Sequence, residues 1–249
     1  MDGSLPSSSA FDHELPSSRA DEVSKKLRGG VWERSELARG IYGSMFSFGR
    51  WLSDRGISPN SLTYAALALA LASGVAAGAG YFLLSAILLL QSGLFDLLDG
   101  VVARAAHRSS RFGALLDSTV DRLADALPLL GVAVACSRSP LASAVLILAI
   151  ITGFAISYVR ARAEGLGISL PPLFMRRAER LVMLLVALLV GSVEVPGFPS
   201  EVAMLSIIAV MAVLSLVAAV WAMRAAYVAL SFEEVARVSV PAAPTPSRP

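Results

Sequence analysis

The sequence predicts an all-α integral membrane protein with six transmembrane helices and an N-terminal juxtamembrane amphipathic helix. Three observations carry that prediction. Hydrophobic residues make up 55% of the 249 positions and charged residues 16%, against about 25% charged in a typical soluble domain. From Leu62 to Phe95 there is no charged residue at all. Apolar runs then recur at lengths near the ~20 residues that one helix needs to cross hydrocarbon. A soluble globular domain and a disordered chain are both excluded on these grounds. The net charge of +2 gives no argument for nucleic acid, and no nucleic-acid partner is expected.

Residues 1–20 are rich in Ser and Pro and read as a disordered tail without the basic flank and apolar core of a signal peptide. Residues 21–56 form the juxtamembrane segment. There Leu37, Ile41, Met45, Phe48 and Leu52 recur at helical spacing, with Trp32, Tyr42 and Trp51 beside them and Arg34, Arg39, Arg50 and Arg55 on other faces. Aromatic rings with arginines suit a helix lying in the headgroup region. Residues 57–230 form the membrane domain, and residues 231–249, with Pro repeated among small residues from Pro241, form a second disordered tail.

Within the membrane domain the uncharged run is too long for one span, and Gly78-Ala79-Gly80 divides it. It yields helices over 62–78 and 81–106, and further spans follow at 113–136, 140–161, 178–192 and 202–226. Pro128 and Gly131 fall inside the third span, where they threaten its straightness. Six spans place both termini on one side. Nearly all of the 21 Lys and Arg residues fall on that side, with Arg138 the exception. The positive-inside rule makes that side the cytoplasm. The expected location is the cell membrane, multi-pass, with termini and active site cytoplasmic.

Five carboxylates interrupt this apolar pattern. Asp96, Asp99, Asp117, Asp121 and Asp125 lie in or beside spans, where an isolated charge costs about 3 kcal/mol or more near the bilayer centre. Asp96, Asp99, Gly100 and Ala103 share one face of the second span, and Gly113, Asp117, Asp121 and Asp125 share one face of the third. Counting back from a short loop near Ser109, Asp99 matches Asp117 in depth and Asp96 matches Asp121. Arg104 and Arg122 on the same helices cannot offset five aspartates. Hard oxygen ligands without His or Cys indicate Mg²⁺, with Mn²⁺ a possible substitute, as a pair of ions sharing carboxylates. A cation or proton transporter would use similar residues and stands as the rival reading. Asp125 is open to two roles, pairing with Arg122 or shaping an acceptor pocket. His107 is expected to have no metal role, and the lone Cys136 to do no more than pack.

The string Asp96-Leu-Leu-Asp99-Gly100-Val-Val-Ala103-Arg104, then eight residues, then Gly113-Ala-Leu-Leu-Asp117-Ser-Thr-Val-Asp121 resembles the signature of the CDP-alcohol phosphatidyltransferase family at every fixed position. Ser58-Pro59-Asn60-Ser61-Leu62-Thr63 resembles the segment that precedes the family's first span. The resemblance implies displacement of CMP from a CDP-lipid donor by an alcohol, within a lipid bilayer. It implies that Asp96 and Asp117 bridge two metal ions, that Asp99 completes one ion's site and that Asp121 joins the other's. Asp121 would also be the catalytic proton acceptor. Pro59, Asn60, Ser61, Leu62, Gly100, Arg104 and Ser110 would contact the CDP-lipid, and a homodimer is implied.

The strings Ser157-Tyr-Val-Arg160-Ala-Arg162-Ala-Glu164 and Glu179-Arg180 resemble the branch that makes phosphatidylinositol phosphate or archaetidylinositol phosphate. A phosphorylated alcohol acceptor, inositol phosphate, is expected, with Arg160, Arg162, Arg177 and Arg180 binding its phosphate. Use of glycerol phosphate, as in phosphatidylglycerophosphate synthases, is the alternative acceptor. That branch has Pro after the third Asp and Lys after the fourth, where this chain has Ser118 and Arg122.

Overall fold

The computed structural model describes residues 47–105, 110–193, 196, 197 and 199–239. Both tails beyond those bounds, residues 21–46 of the juxtamembrane segment and His107 lie outside the described residues. Chain contacts divide the molecule into two compact units, Met1–Phe48 and Gly49–Pro249. The first contributes only helical residues 47 and 48 to the described set, and the transmembrane helices and the site belong to the second.

The described residues are helical with no strand. Helix α1 covers residues 47–54. It is followed by α2 (Pro59–Gly78), α3 (Phe82–Ala105), α4 (Arg111–Ala135), α5 (Pro140–Gly165), α6 (Arg177–Gly191) and α7 (Ser200–Ser239). The six expected spans therefore appear as six helices whose ends lie within four residues of those read from the sequence, except that α7 runs thirteen residues past 226, so residues 231–239, expected in a disordered tail, are helical. Four of them, α2, α3, α5 and α7, are long and apolar enough to cross a membrane by length and composition. Helix α4 is long but carries the second row of acids, and α6 has only 15 residues.

Local signals explain the boundaries. Ser58 caps α2 by accepting from Ser61 N at 3.1 Å, with Pro59 in the first turn, where its missing N–H costs nothing. Ser139 and Pro140 repeat the device at α5. Ser110 caps α4 by accepting from Gly113 N at 2.9 Å. Helix α2 ends where Gly80 adopts φ +83°. There Gly80 N reaches Ala77 O at 3.0 Å and Tyr81 N reaches Ala76 O at 2.8 Å, the paired bonds of a glycine-terminated helix. Pro128 is buried inside α4 and does not break it.

The packing is that of helices in lipid. The buried face of α2 is made of small residues, among them Ala66, Ala70, Ser73, Gly74 and Ala77, while Leu71 and Val75 point outward. Ser73 Oγ lies 2.8 Å from Ser85 O, and Ser92 Oγ donates to Ala66 O at 2.8 Å, tying α2 to α3. On its other side α2 crosses α4 at a glycine pair. A Cβ built on Gly131 would lie 2.0 Å from Gly74 O.

This placement modifies one expectation. The two acid-bearing helices α3 and α4 touch each other only slightly along their length, because α2 packs extensively against both and lies between them. The second group of helices, α5, α6 and α7, surrounds a core that includes Leu146, Leu188, Met204 and Ile208.

Candidate active site

The acids of α3 and α4 converge where those helices do meet. Asp96, Asp99 and Asp117 each offer an oxygen, and the three oxygens all lie within 4.8 Å of one another. Asp99 is buried, and its Oδ2 accepts from Thr63 Oγ1 at 2.6 Å. Asp96 Oδ1 is buried with no hydrogen-bond partner among the described residues. An unsatisfied carboxylate oxygen beside two further carboxylates is a poor arrangement for a plain core and a suitable one for a divalent cation. The donor set of the described residues therefore fits Mg²⁺ or Mn²⁺.

Asp121 is not one of that trio but lies beside Asp96, and an arginine from α6 contacts both. Arg177 Nη1 lies 2.5 Å from Asp96 Oδ2 and 2.7 Å from Asp121 Oδ1, and Arg177 Nε is 3.4 Å from Asp125 Oδ1. The Asp121 contact is an ion pair without hydrogen-bond alignment, since that oxygen has no hydrogen-bonded partner. Arg180 Nη2 donates to Asp125 Oδ2 at 2.6 Å, and its Nη1 donates to Met175 O at 3.1 Å. Asp125 is thus held by Arg177 and Arg180. Arg122, the partner considered from the sequence, donates instead to the carbonyls of Ser118 and Ser157.

Two cavities flank the acids. One of about 230 Å³ lies between α2, α3 and the start of α4. Pro59, Asn60, Gly100, Arg104 and Ser110, all expected at the CDP-lipid, line it together with Asp99 and Asp117. Ser61 and Leu62 do not. Ser61 faces Ser58, its hydroxyl 2.8 Å away, and Leu62 is buried against Leu52 and Val102. Thr63, which the sequence reading left out of the site, lines the cavity and orients Asp99. Gly113 leaves room for the Asn60 side chain, since a Cβ there would be 3.0 Å from Ser110 Oγ and 3.3 Å from Asn60 Oδ1.

The second cavity, of about 370 Å³, lies on the far side of Asp121. Arg122, Arg160, Arg176, Arg177 and Arg180 line it, with Asp121 and Asp125 in its wall. Three of the four arginines expected at an acceptor phosphate are therefore brought together, and Arg162 is exposed away from the lining. Arg122, expected only as a partner for Asp125, and Arg176, from the same arginine-rich stretch as Arg177 and Arg180, join it. Arg176 N donates to Glu179 Oε2 at 2.6 Å, which closes the capping box that starts α6 and aims Arg177 inward.

Among the described residues, fold and site together define an all-helical protein with apolar membrane-type helices, a carboxylate cluster of the kind that binds divalent cations, and two cavities beside these acids, one lined by Asp99 and Asp117 and the other by Asp121 and Asp125. A family model described as CDP-alcohol phosphatidyltransferase matches residues 56–221. The chain belongs to the CDP-alcohol phosphatidyltransferase family. It is 37% identical over 148 residues to an archaetidylinositol phosphate synthase of Methanothermobacter thermautotrophicus, covering 59% of this chain and 74% of that protein. The crystal structure of Mycobacterium tuberculosis phosphatidylinositol phosphate synthase with CDP-DAG bound superposes with a TM-score of 0.67 at 27% identity, over 74% of this chain and 93% of that one. The complex of the same enzyme with manganese and citrate gives a TM-score of 0.67 over 88% of its chain.

Proposed function

We propose that the protein transfers a phosphatidyl-type group from a CDP-lipid to the hydroxyl of inositol phosphate, releasing CMP, as a step of phospholipid biosynthesis. The observation that carries this reading is the arginine-lined cavity on the far side of Asp121 from the cavity at Asn60 and Arg104. A pyrophosphate donor and a phosphorylated acceptor need two separate anion sites that share one reactive centre. The names of the relatives support the same assignment.

In this reading Asp96, Asp99, Asp117 and Asp121 hold two Mg²⁺ ions. When bound, these supply charge neutralisation at the pyrophosphate. Asn60, Gly100 and Arg104 hold the CDP moiety, with Arg104 able to pair with a phosphate. Thr63 fixes the rotamer of Asp99. The acceptor hydroxyl oxygen attacks the lipid-side phosphorus as its proton passes to Asp121, and CMP leaves with the electron pair of the broken P–O bond. Arg160, Arg176 and Arg177 orient the acceptor phosphate, so the reacting oxygen is positioned before any bond is made. Helices α4 and α6 complete six spans, the site faces the cytoplasm, and two copies form the working dimer.

The test is an acceptor panel. Purified protein in detergent or liposomes is given CDP-diacylglycerol or its ether-linked archaeol counterpart with inositol phosphate, glycerol phosphate, inositol or serine. CMP release with inositol phosphate, abolished by a chelator and restored by Mg²⁺, is the expected result. Turnover with glycerol phosphate alone would assign the other acceptor. No CMP release with any acceptor would overturn the reading.

A further inference from the structure

Two kinds of cation have a claim on the same oxygens. On the proposed reading Asp96 and Asp121 are metal ligands, yet Arg177 Nη1 lies 2.5 Å from Asp96 Oδ2 and 2.7 Å from Asp121 Oδ1. A guanidinium and a divalent ion repel one another and need the same space, so those oxygens serve one or the other. The opposite edge of Arg177 is held elsewhere, with Nε 3.4 Å from Asp125 Oδ1. Asp125 is itself fixed: Arg180 Nη2 holds its other oxygen at 2.6 Å, and Arg180 is only 7% exposed. Asp125 lies one turn beyond Asp121 and outside the signature, so neither metal ligation nor the motif accounts for it.

We propose that Asp125 is a positioning residue that retains Arg177 by its Nε edge when a divalent ion takes Asp96 and Asp121, so that the released Nη1 turns into the arginine-lined cavity and donates to the acceptor phosphate. This rests on the reading of the acceptor as a phosphorylated alcohol. Two consequences follow from thermodynamic linkage. Metal and acceptor each favour the state in which Arg177 has left the aspartates, so each tightens the binding of the other. Asp125 limits the rotamer freedom of the released side chain, and the entropy saved goes into phosphate affinity. The pair acts as a hand-over: one arginine neutralises the acids before the metal arrives and serves the acceptor afterwards.

The test reads Mn²⁺ affinity directly, from the free-ion signal in electron paramagnetic resonance, with and without inositol phosphate and without CDP-lipid. In the unaltered protein inositol phosphate tightens Mn²⁺ binding about fivefold or more. Arg177→Gln binds Mn²⁺ about tenfold more tightly than the unaltered protein, because a competing charge-assisted contact is gone, and it shows no coupling. Arg176→Gln, which also lines the cavity but bonds Glu179 instead of the acid cluster, changes Mn²⁺ affinity by less than about threefold, which separates displacement from a general loss of positive charge. Asp125→Asn loses most of the coupling and raises KM for inositol phosphate about tenfold with a smaller effect on kcat, and Asp125→Glu restores part of both.

Unchanged or weaker Mn²⁺ binding by Arg177→Gln, or full coupling in Asp125→Asn, overturns the proposal. If turnover with inositol phosphate is normal in the unaltered protein in that case, the acceptor reading survives and the hand-over alone fails. If Arg177→Gln tightens Mn²⁺ but neither inositol phosphate nor glycerol phosphate couples to the metal in the unaltered protein, the acceptor reading fails with it.

Discussion

Thr63 donates its hydroxyl hydrogen to Asp99 Oδ2 at 2.6 Å, across 36 residues of sequence. A helix with no carboxylate of its own thus orients a carboxylate on the next. The shared hydrogen leaves the other Asp99 oxygen for a cation, and Thr63 itself is only 3% exposed.

Replacing Thr63 with Val keeps the shape and removes the donor. A hydrogen bond to a charged group is worth about 1.5–3 kcal/mol, so the Mg²⁺ concentration giving half-maximal activity should rise about tenfold or more. Activity measured against Mg²⁺ concentration checks this, with Thr63→Ser recovering most of the loss.

Asp117 is a member of the carboxylate trio that no arginine contacts in a described ion pair. Asp117→Asn should therefore relieve repulsion in the metal-free protein and stabilise it by about 1–3 kcal/mol at an effective dielectric of about 20. Thermal unfolding in detergent with a chelator reads the gain. The same variant should lose the stabilisation that Mg²⁺ gives the unaltered protein, and its CMP release should fall by orders of magnitude.

Asp121→Asn retains size but cannot take a proton. Loss of a general base costs about 10²–10⁴-fold in rate, and kcat for CMP release should fall by at least that. Protein yield and helical content by circular dichroism should stay as in the unaltered chain, which separates lost chemistry from lost folding.

The α2–α4 crossing depends on the absence of a side chain. Gly131→Ala would put a methyl 2.0 Å from Gly74 O, a contact only backbone movement can relieve. Overpacking of this kind costs about 1–3 kcal/mol or more, and a lower melting temperature in detergent should show it. Gly165→Ala, where nothing lies within 4 Å, should leave the melting temperature unchanged.

Arg160 reaches the arginine-lined cavity from the surface. Its contact with Glu164 at 3.3 Å joins side chains that are 51% and 63% exposed, a pairing worth at most about 1 kcal/mol. Arg160→Gln should accordingly leave stability unaltered and raise KM for inositol phosphate several-fold, as steady-state kinetics would show.

Much of this molecule was legible in its sequence because its strongest signals are local. Helix ends followed Ser-Pro and glycine pairs, and the acids announced themselves by their cost in an apolar run. Asp96, Asp99 and Asp117 converge as their spacing implied. The rest depends on which helix lies beside which. Nothing periodic says that α2 separates α3 from α4, so Thr63 was left out of the site and Gly131 read as a threat to straightness. The pairing of Arg177 with Asp96 spans 81 residues, with α4 and α5 in between. Ser61 and Leu62 were drawn in by a string of neighbours, yet in a helix adjacent residues point about 100° apart, and the cavity takes only Pro59, Asn60 and Thr63 from that turn.

Helix α6 has 15 residues and rises about 22 Å, against a hydrocarbon slab of about 30 Å. On the six-span reading, a bilayer meeting that helix would have to thin or admit water at its arginine end. The recess then works as a wet dock cut into an oily hull. On the proposed function a phosphorylated alcohol would reach the aspartates through water, while the lipid chains of the donor would stay in the bilayer. Membranes of greater thickness should deepen the mismatch and slow the exchange, so the species of lipid this protein helps to make would in turn set how fast it works.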